Sequence, residues 1–444
     1  MKIATRSFRS KPNAFYKKFI KMTNDFSKTH KNHRLSKFVI KVPAVDGQIL
    51  YNSLTGGIVF IKDEDDLAKS FEELEKMNFY VPCDFDEISM VNELREKKRH
   101  SKEKITGFKI LTTTDCNARC FYCYEKGQPK ITMTEKTAYD IVDYILRVSQ
   151  NSPVDLRWFG GEPLYNSKVI DIICRSLLDK GVKFKSTMVS NGLLFTDSVI
   201  LKAKDLWNLK HIQITLDGMK HLYQKIKAYK DAQGEEFDRV IENIGKITKV
   251  GINVSIRLNQ NLNNTEDLME LSDFLQTKFG GNNLVTVYNH WLYGEDSSGS
   301  DLEIVKYDKF KQLQDKLIKC RLFHSNVLKN KLRFNHCMAD DDSSVLILPR
   351  GELGKCEHFT DQHFIGSIYE TTFIDEEITR WKEKSPLKPK CYDCQLYPQC
   401  YRIKMCPVET DDCTLFDCEN RIELIKKALV QKYIARSNER NCNQ

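Results

Sequence analysis

Residues 116–123 read Cys-Asn-Ala-Arg-Cys-Phe-Tyr-Cys and follow directly on the apolar run GFKILTTT of residues 107–114. Three thiolates on so short a loop can hold three irons of a cubane cluster and leave the fourth iron open. An open iron can bind a small molecule that carries free amino and carboxylate groups. The spacing alone does not name the metal, because a zinc knuckle or a ferredoxin-like loop also places three cysteines this close together.

The composition indicates a large protein of a reducing compartment. The chain has 444 residues, of which 41% are hydrophobic, so two or three domains with substantial cores are expected. Its net charge of +8 is too small an excess to indicate nucleic-acid binding. The N-terminus lacks the apolar region of a secretion signal, and no stretch approaches the length of a membrane span. We therefore predict a cytoplasmic protein with reduced cysteines and no membrane partner.

The chain contains fifteen cysteines, many of them clustered at short spacings. In a reducing compartment such clusters are typical of metal ligands rather than of disulfides. Cys83 and Cys174 are exceptions, since the first stands alone and the second lies in the helical pattern VIDIICRSLL. Both are predicted to be small core residues.

Between residues 107 and 325, strand-like runs alternate with amphipathic helical runs six times. This alternation predicts an α/β fold in which helices surround a parallel sheet, a partial (β/α)6 TIM-like barrel. Helices are expected from Thr134 to Gln150 and from Thr265 to Phe279, the second with Thr265 as its N-cap. The strand candidates are GFKILTTT, VDLRWFGG, KFKSTMVSNG, LKHIQITLDG, INVSIRLNQN and LVTVYNHWLYG.

Polar or glycine-rich segments follow the first four strands, and Arg257 lies in the fifth. The C-terminal ends of barrel strands meet at one mouth, so these segments are expected to form one site. Taken singly, each would fit a turn, a hairpin loop or a surface ion pair, and Asp217 is expected to cap a turn. The segments are Cys116, Gly160-Gly161-Glu162-Pro163, Ser190-Asn191-Gly192 and Asp217-Gly218.

The residues before the barrel differ from it in character. Residues 1–36 form a basic arm whose only acid is Asp25, so they are predicted either to attract an acidic partner or to be a solvated tail. Residues 37–96 contain short strand-like runs and two helical runs. They predict a small α+β, winged-helix-like domain that captures an extended peptide, or else a structural cap on the barrel. Residues 97–106 are predicted to be a linker.

The motifs CNARCFYC, GGEP and SNG, with the Asp-Gly after the fourth strand, resemble the radical S-adenosylmethionine (radical SAM) superfamily. The resemblance implies that Cys116, Cys120 and Cys123 bind a catalytic 4Fe-4S cluster, whose open iron takes S-adenosyl-L-methionine. The cofactor-binding residues that it implies are Tyr122, Gly160, Gly161, Glu162, Pro163, Ser190, Asn191 and Arg257.

The resemblance also implies a role for most of these residues. Tyr122 would lie near the adenine, and the Gly160-Gly161 backbone would approach the methionine amino group because neither residue has a Cβ. Glu162 would accept the protons of that amino group. Ser190-Asn191 would face the ribose or the carboxylate, and Arg257 would donate a charge-assisted hydrogen bond to the carboxylate.

The later cysteines resemble the SPASM extension of that superfamily, which carries two auxiliary 4Fe-4S clusters. They lie in residues 326–444, where little periodicity precedes a last helix and where metal is expected to organise the chain. The resemblance implies that Cys337, Cys356 and Cys406 bind the first auxiliary cluster. The implied ligands of the second are Cys391, Cys394, Cys400 and Cys418. A zinc ribbon would account only for the first two of these four.

One spacing departs from the SPASM pattern. Five residues separate Cys400 from Cys406, where the family has fewer. Cys413 therefore competes with Cys406, or it is a fourth ligand of the first auxiliary cluster. If neither Cys413 nor Cys320 serves as the fourth ligand, that cluster has an open iron.

The resemblance implies that a 5′-deoxyadenosyl radical removes a hydrogen atom and that the auxiliary clusters then oxidise the product radical. Residues 37–96 favour a maturase of ribosomally made (RiPP) peptides, which joins a cysteine sulfur to a carbon in a leader-bearing precursor peptide. A reductant such as flavodoxin or ferredoxin is a second implied partner. Glu357, next to Cys356, is either a base that takes a proton from the substrate or a surface acid or hydrogen-bond partner.

Three alternatives stay open at this point. The first is a carbon-carbon or carbon-oxygen cross-link in the peptide. The second is an anaerobic sulfatase maturase, which forms formylglycine. The third is a non-enzymatic iron-sulfur electron carrier, which would not need the GGEP segment or a barrel mouth.

Three four-iron clusters correspond to roughly twelve iron atoms per chain. We expect this iron content in full-length protein that has been reconstituted anaerobically and assayed for iron and sulfide. A content of only about four irons, enough for one cubane, would contradict the prediction of auxiliary clusters.

Overall fold

The computed structural model describes residues 32–63, 66, 69–99, 104–292, 300–323, 328, 332–335, 337–359, 362–382, 387–400 and 418–441. The chain divides into two compact units. The first unit comprises residues 1–101, 325–337 and 384–444, and the second comprises residues 102–324 and 338–383. The predicted segment 326–444 is therefore shared between the two units, and the predicted segment 37–96 lies wholly in the first.

The first unit begins with two small antiparallel sheets. Strand β1 pairs with β5, and β2, β3 and β4 form a three-stranded sheet in that order. The short strands and two helices expected in residues 37–96 are present, and β1 adds the end of the basic arm to the fold. The elements are β1 (His33–Leu35), β2 (Val39–Ala44), β3 (Gly47–Asn52), β4 (Ile58–Ile61), α1 (Phe71–Lys76), β5 (Tyr80–Pro82) and α2 (Glu87–Arg99). The rest of the arm, residues 1–31, lies outside the described residues.

The second unit is an α/β fold around a parallel sheet, as predicted. All six strand candidates form strands, and their spatial order β11-β10-β9-β8-β7-β6 follows the chain. The elements are β6 (Gly107–Leu111), α3 (Glu135–Ser149), β7 (Val154–Phe159), α4 (Ser167–Asp179), β8 (Phe184–Ser190), α5 (Asp197–Asp205), β9 (Leu209–Leu216), α6 (Lys220–Lys227), α7 (Glu236–Lys249), β10 (Asn253–Gln260), α8 (Thr265–Phe279), β11 (Val285–Trp291) and α9 (Ser300–Lys319).

Alternation along these strands separates a dry face from a polar face. Leu156 and Trp158 on β7 are buried in one core with Ile141 and Ile145 of α3. This core supplies the main stabilisation of the unit, because apolar area leaves water on both the sheet and the helices. On the central strands the alternate positions carry polar, half-buried side chains such as Thr215 of β9.

Three further strands extend this sheet beyond the six predicted ones. Strand β12 (Ser344–Ile347) pairs in parallel with β6, and β13 (Glu352–Gly354) and β14 (Gly366–Ser367) continue antiparallel from it. The sequence analysis expected little regular structure here, yet residues 344–347 are buried throughout. Their short apolar run gains stability by covering the edge of β6. The short helix α10 (Asp375–Arg380) follows.

The start of α8 corrects one detail of the sequence analysis. The N-cap is Asn264, and Thr265 is the first residue of the helix. The side-chain amide of Asn264 donates to the carbonyls of Asp217 (3.1 Å) and Asn259 (2.9 Å). The cap residue therefore joins the ends of β9 and β10 instead of bonding the first turn of its own helix.

The last helix, α11 (Glu419–Asn441), belongs to the first unit. Its Ile425 and Leu429 share a buried cluster with Ile40 of β2 and Tyr51 of β3. The predicted peptide-recognition segment and the end of the chain thus have a common core. No helix within the described residues combines the length and the apolar character that crossing a bilayer requires.

Candidate active site

The loop that carries the three cysteines, residues 112–124, is called the cysteine loop, and backbone contacts join it to the end of β7. Gly161 donates its N–H to the carbonyl of Thr113, and Glu162 donates to that of Asp115, both at 3.0 Å. A Cβ added at Gly160 would lie 2.2 Å from the Thr113 oxygen, and one at Gly161 would lie 2.2 Å from the Asp115 oxygen. Gly160 also has a φ of +137°, which other residues rarely adopt. Both positions therefore require glycine.

The three cysteines of this loop are half buried. Burial, reinforced by the charge of Glu162, raises the pKa of Cys116 to about 12, and burial also raises the pKa of Cys123. The Sγ atom of Cys116 accepts the N–H of Ala118 at 3.3 Å. Because a metal ligand must be a thiolate, metal binding would draw these thiols into the charged form that burial opposes.

Among the described residues, no three histidine, cysteine, aspartate or glutamate side chains are arranged to hold a single metal ion. A four-iron cluster has a different requirement, since its cysteine ligands bind separate irons. The charges of Cys120 and Cys123 both contribute to the raised pKa of Cys116. The loop therefore keeps Cys120 and Cys123 close enough to Cys116 for their charges to act on its thiol.

Glu162 is fully buried and connects the ends of β7 and β8. Its Oε1 accepts from the Ser190 hydroxyl (2.8 Å) and the Leu164 N–H (3.2 Å), and its Oε2 accepts from the Asn191 N–H (2.8 Å). Burial outweighs these bonds and raises the pKa of Glu162 to about 7. Its contact with a substrate amino group stays a prediction. The next residue, Pro163, is also buried, and its carbonyl accepts from the Thr112 hydroxyl at 3.0 Å.

Asn191 brings the end of β8 to the cysteine loop. Its side-chain amide donates to Oδ1 of Asn117 at 2.7 Å and lies 3.9 Å from the Sγ atom of Cys116. Arg257 projects from β10, and its Nη2 lies 3.0 Å from Nδ1 of His290. The Nε atom of Arg257 is buried and has no hydrogen-bond partner among the described residues. A buried cationic donor without an acceptor fits a site for an anionic group such as a carboxylate.

Tyr122 and Asp217 belong to a buried polar network. The Tyr122 hydroxyl donates to Oδ1 of Asp217 at 2.7 Å, and Asn259 donates to the same oxygen at 2.9 Å. Lys227, only 2% exposed, lies with its Nζ 2.9 Å from Oδ2 of Asp217 and donates to the Thr215 hydroxyl at 2.7 Å. The predicted turn cap at Asp217 is therefore wrong, because its carboxylate pairs with a buried cation.

Glu357 forms an ion pair with Lys109, with 2.6 Å between Oε2 and Nζ. Burial opposes the charge of Glu357, but the ammonium of Lys109 outweighs it and holds the pKa of this carboxyl below its ordinary value. A carboxylate in this setting is a weak base, since taking up a proton would cost the ion pair. The geometry favours the alternative in which Glu357 is a hydrogen-bond partner, and its catalytic role stays a prediction.

The cysteines outside the cysteine loop are distributed over both units. Cys356 lies in the second unit, and Cys337 lies exposed in the first. Three cysteines of the first unit, Cys391, Cys394 and Cys400, are half buried along one segment, and Cys418 directly precedes α11. The charges of Cys391 and Cys400 both contribute to the raised pKa of Tyr397, after burial as its main cause, so both thiols lie near this side chain. Cys406 and Cys413 lie outside the described residues.

Sequence reasoning missed Lys227, Thr215, Asn259 and His290. None of them belongs to a motif, and each stands in a helix or strand where its residue type is ordinary. The one available signal was the strand register, since Thr215 and Arg257 are paired neighbours on β9 and β10. That register is known only once the sheet has formed.

Comparison with known proteins agrees with this geometry. The family model of the Radical SAM superfamily matches residues 110–275. The GTP 3′,8-cyclase of Nautilia profundicola is 28% identical over 181 residues, which cover 40% of this chain and 54% of that protein. The GTP 3′,8-cyclase of Campylobacter jejuni is 30% identical over 182 residues, which cover 39% and 53%. The chain therefore spans about half the length of these curated relatives.

Among solved structures, native anSMEcpe with bound AdoMet and the Kp18Cys peptide has a TM-score of 0.54 and 16% identity. The match covers 73% of this chain and 98% of that chain. At this identity the likeness shows a shared fold.

The close approach of the Asp115 carbonyl to Gly161 predicts that adding one methyl group at residue 161 destabilises the protein. Gly161→Ala should destabilise the protein by about 1–3 kcal/mol and weaken S-adenosylmethionine binding, because the new Cβ meets the Asp115 carbonyl. Gly245→Ala in α7 is the matched control, since a Cβ there meets nothing within 4 Å and alanine favours a helix. Urea unfolding and isothermal titration calorimetry measure the two effects. If Gly161→Ala and Gly245→Ala are equally stable, the prediction that position 161 requires glycine is wrong.

The buried carboxyl of Glu162 predicts a pH-dependent stability. Its pKa is about 7 in the folded protein against an ordinary value of 4.5 for glutamate, so the folded state binds the proton more tightly. The stabilisation from this group is complete below pH 4.5 and is lost as pH rises through 7. Relative to Glu162→Gln, wild type should lose on the order of 3 kcal/mol of unfolding free energy over that interval.

Urea unfolding across this pH range measures the difference between the two proteins. The control is Glu135→Gln, which alters an exposed glutamate at the start of α3. A wild-type minus Glu162→Gln difference that does not change with pH would show that Glu162 titrates normally.

Proposed function

Because residues 110–275 form a radical SAM domain and the chain is an enzyme, we propose that it is a maturase of ribosomally made peptides. In this proposal it installs a thioether between a cysteine sulfur and a carbon of a precursor peptide. The electron-carrier alternative is set aside, since such a protein is not an enzyme. When bound, S-adenosylmethionine and the 4Fe-4S cluster would supply a 5′-deoxyadenosyl radical for removing a hydrogen atom from the substrate.

The residues of the barrel mouth fit these cofactors. Cys116, Cys120 and Cys123 would bind the cluster. The Gly160-Gly161 backbone, which the resemblance places near the methionine amino group, is held against the cysteine loop by the close approach of the Thr113 and Asp115 carbonyls. The unpartnered Nε of Arg257 would receive the carboxylate.

A contact between two cysteine-bearing loops carries the proposal. Tyr124, next to Cys123, stacks on His358 with 4.3 Å between ring centroids. His358 is two residues from Cys356, so a cysteine outside the triad has its loop against the cysteine loop. We propose that Cys356 is a ligand of a first auxiliary 4Fe-4S cluster; the resemblance to the SPASM extension implies Cys337 and Cys406 or Cys413 as its other ligands. The proposed ligands of the second are Cys391, Cys394, Cys400 and Cys418.

The first unit supports a peptide substrate. Strand β4 is the outer strand of its sheet, and among the described residues it pairs only with β3. An outer strand presents unpaired N–H and C=O groups on which an extended leader peptide can add as a further strand. A protein of the same fold, anSMEcpe, has been solved with a bound peptide. The proposed partners are therefore a leader-bearing precursor and a one-electron donor such as flavodoxin or ferredoxin.

Within the site, this chain's own residues orient and shield the reaction. The Asp217–Lys227 pair and Asn259 hold the Tyr122 hydroxyl, which fixes the ring where the adenine is expected. Glu162 and Asn191 keep the end of β8 against the cysteine loop. Lys109 holds Glu357 as a carboxylate beside Cys356. Fixed dipoles of this kind stabilise a reacting group without reorganisation.

The test is turnover of a short cysteine-containing precursor peptide, sought among the open reading frames beside the gene. Reduced, reconstituted enzyme with S-adenosylmethionine should form 5′-deoxyadenosine and a peptide that is two hydrogen atoms lighter, with one alkylatable thiol lost. Cys116→Ala should form neither product. The control is Cys83→Ala, which should form both; the sequence prediction that Cys83 is a core residue is wrong, because the structure shows it exposed. A core peptide without its leader should be converted more slowly.

Other outcomes separate the alternatives. Loss of two hydrogen atoms with every thiol still alkylatable indicates a carbon-carbon or carbon-oxygen cross-link. Formylglycine in a sulfatase-derived peptide indicates a sulfatase maturase. Turnover of GTP with no change in either peptide would overturn the proposal in favour of the chemistry for which the curated relatives are named.

A further inference from the structure

The segment that ends α6 is bonded to the cysteine loop through its backbone. The carbonyl of Lys227 accepts the N–H of Arg119 at 2.8 Å, and Lys230 donates its N–H to the carbonyl of Asn117 at 2.9 Å. The Lys230 ammonium also lies 3.1 Å from Oδ1 of Asp115. The loop therefore has protein partners on both sides of Cys116, and none of these contacts needs a metal.

The side chain of Lys227 reaches the same loop by a second route. Its ammonium lies 3.3 Å from the Tyr122 hydroxyl, which also donates to Asp217. It further bonds the Thr215 hydroxyl on β9. One residue thus contacts the loop at Arg119 through its carbonyl and at Tyr122 through its ammonium, and both contacts lie beside Cys120.

Burying this charge has a definite cost that the neighbours must offset. An unpaired ammonium in a protein interior is strongly unfavourable, so Lys227 stays buried only while its partners stay in place. Burial by itself lowers the pKa of Lys227, but the carboxylate of Asp217 together with smaller contributions from neighbouring groups offsets it and keeps the pKa above its ordinary value. Moving the loop away would remove the Tyr122 hydroxyl from this pair and leave the ion pair less well solvated. The ion pair and the loop position are therefore coupled.

We propose that Lys227 is a positioning residue, which holds the cysteine loop in its cluster-binding conformation before iron binds. The loop then does not have to fold around the metal, and the three thiols are already near one another when the first iron arrives. The inference depends on the radical SAM domain and not on the proposed peptide substrate. The same residue fixes the ring of Tyr122 when the cluster is in place.

Amide hydrogen exchange in the iron-free, full-length protein tests this proposal. In Lys227→Met the Arg119 amide should exchange about tenfold faster than in wild type, as expected for the loss of about one hydrogen bond. Residue 227 keeps its backbone carbonyl in this variant. Faster exchange of the Arg119 amide must therefore result from the loss of the lysine side chain. The matched control is Lys225→Met, which removes an exposed charge from the same helix and should leave the Arg119 amide unchanged.

The amides of Ile212 and Ile214 in β9 report the stability of the sheet. If they exchange faster in Lys227→Met by the same factor as Arg119, the residue has only a general structural role and the proposal is wrong. Unchanged exchange at Arg119 also overturns it. A second readout is the loss of iron from the reconstituted protein to a chelator, which should be faster in Lys227→Met and unchanged in Lys225→Met.

Tyr122→Phe keeps the proposal testable if Lys227→Met does not fold. This variant removes only the hydroxyl that joins the loop to the ion pair and leaves the Lys227–Asp217 pair intact. Faster exchange at Arg119 with unchanged exchange at Ile212 supports the coupling. An Arg119 amide as protected as in wild type overturns it. Failure of the peptide assay would leave these outcomes unaffected, because they are measured without substrate.

Discussion

The active-site end of the barrel depends on a backbone approach that leaves no space for a side chain. The carbonyls of Thr113 and Asp115 lie where the Cβ atoms of residues 160 and 161 would be, so the cysteine loop rests directly on the end of β7. Two N–H groups of this segment bond the same carbonyls. The position of the cysteine loop is thereby set by the end of β7 and so by the register of the sheet.

Buried charges then connect the remaining strand ends to this contact. Glu162 joins β7 to β8, and Asp217 with Lys227 joins β9 to the cysteine loop. A buried charge without partners is costly, so each pair requires several elements to be in place together. The mouth of the barrel is therefore preorganised by its own electrostatics. That arrangement suits radical chemistry, where a reactive species has to be held and shielded from water.

The ion pair with Lys109 also changes the role inferred for Glu357. Its place beside Cys356 suggested a base, but Lys109 on β6 holds it as an ion pair. The residue then serves to attach the Cys356 loop to the sheet, next to the stacked rings of Tyr124 and His358. In the first unit, the strands that the sequence placed in a separate recognition domain share a core with α11 and the half-buried Cys394. Residues 37–96 and the cysteines from Cys391 to Cys418 therefore belong to the same unit.

The sequence by itself determined the six parallel strands, because their apolar periodicity is local and strong, and it located the three-cysteine loop and the segments that face it. Only the tertiary structure placed β12 beside β6, because the sequence of a four-residue strand does not indicate which sheet edge the strand will pair with. The partners of Asp217 and Glu357 were likewise decided by the fold. Lys227 is ten residues from Asp217, and Lys109 is 248 residues from Glu357. No local pattern encodes such pairs, because a buried charge finds its partner through the register of the sheet and not through its neighbours in the chain.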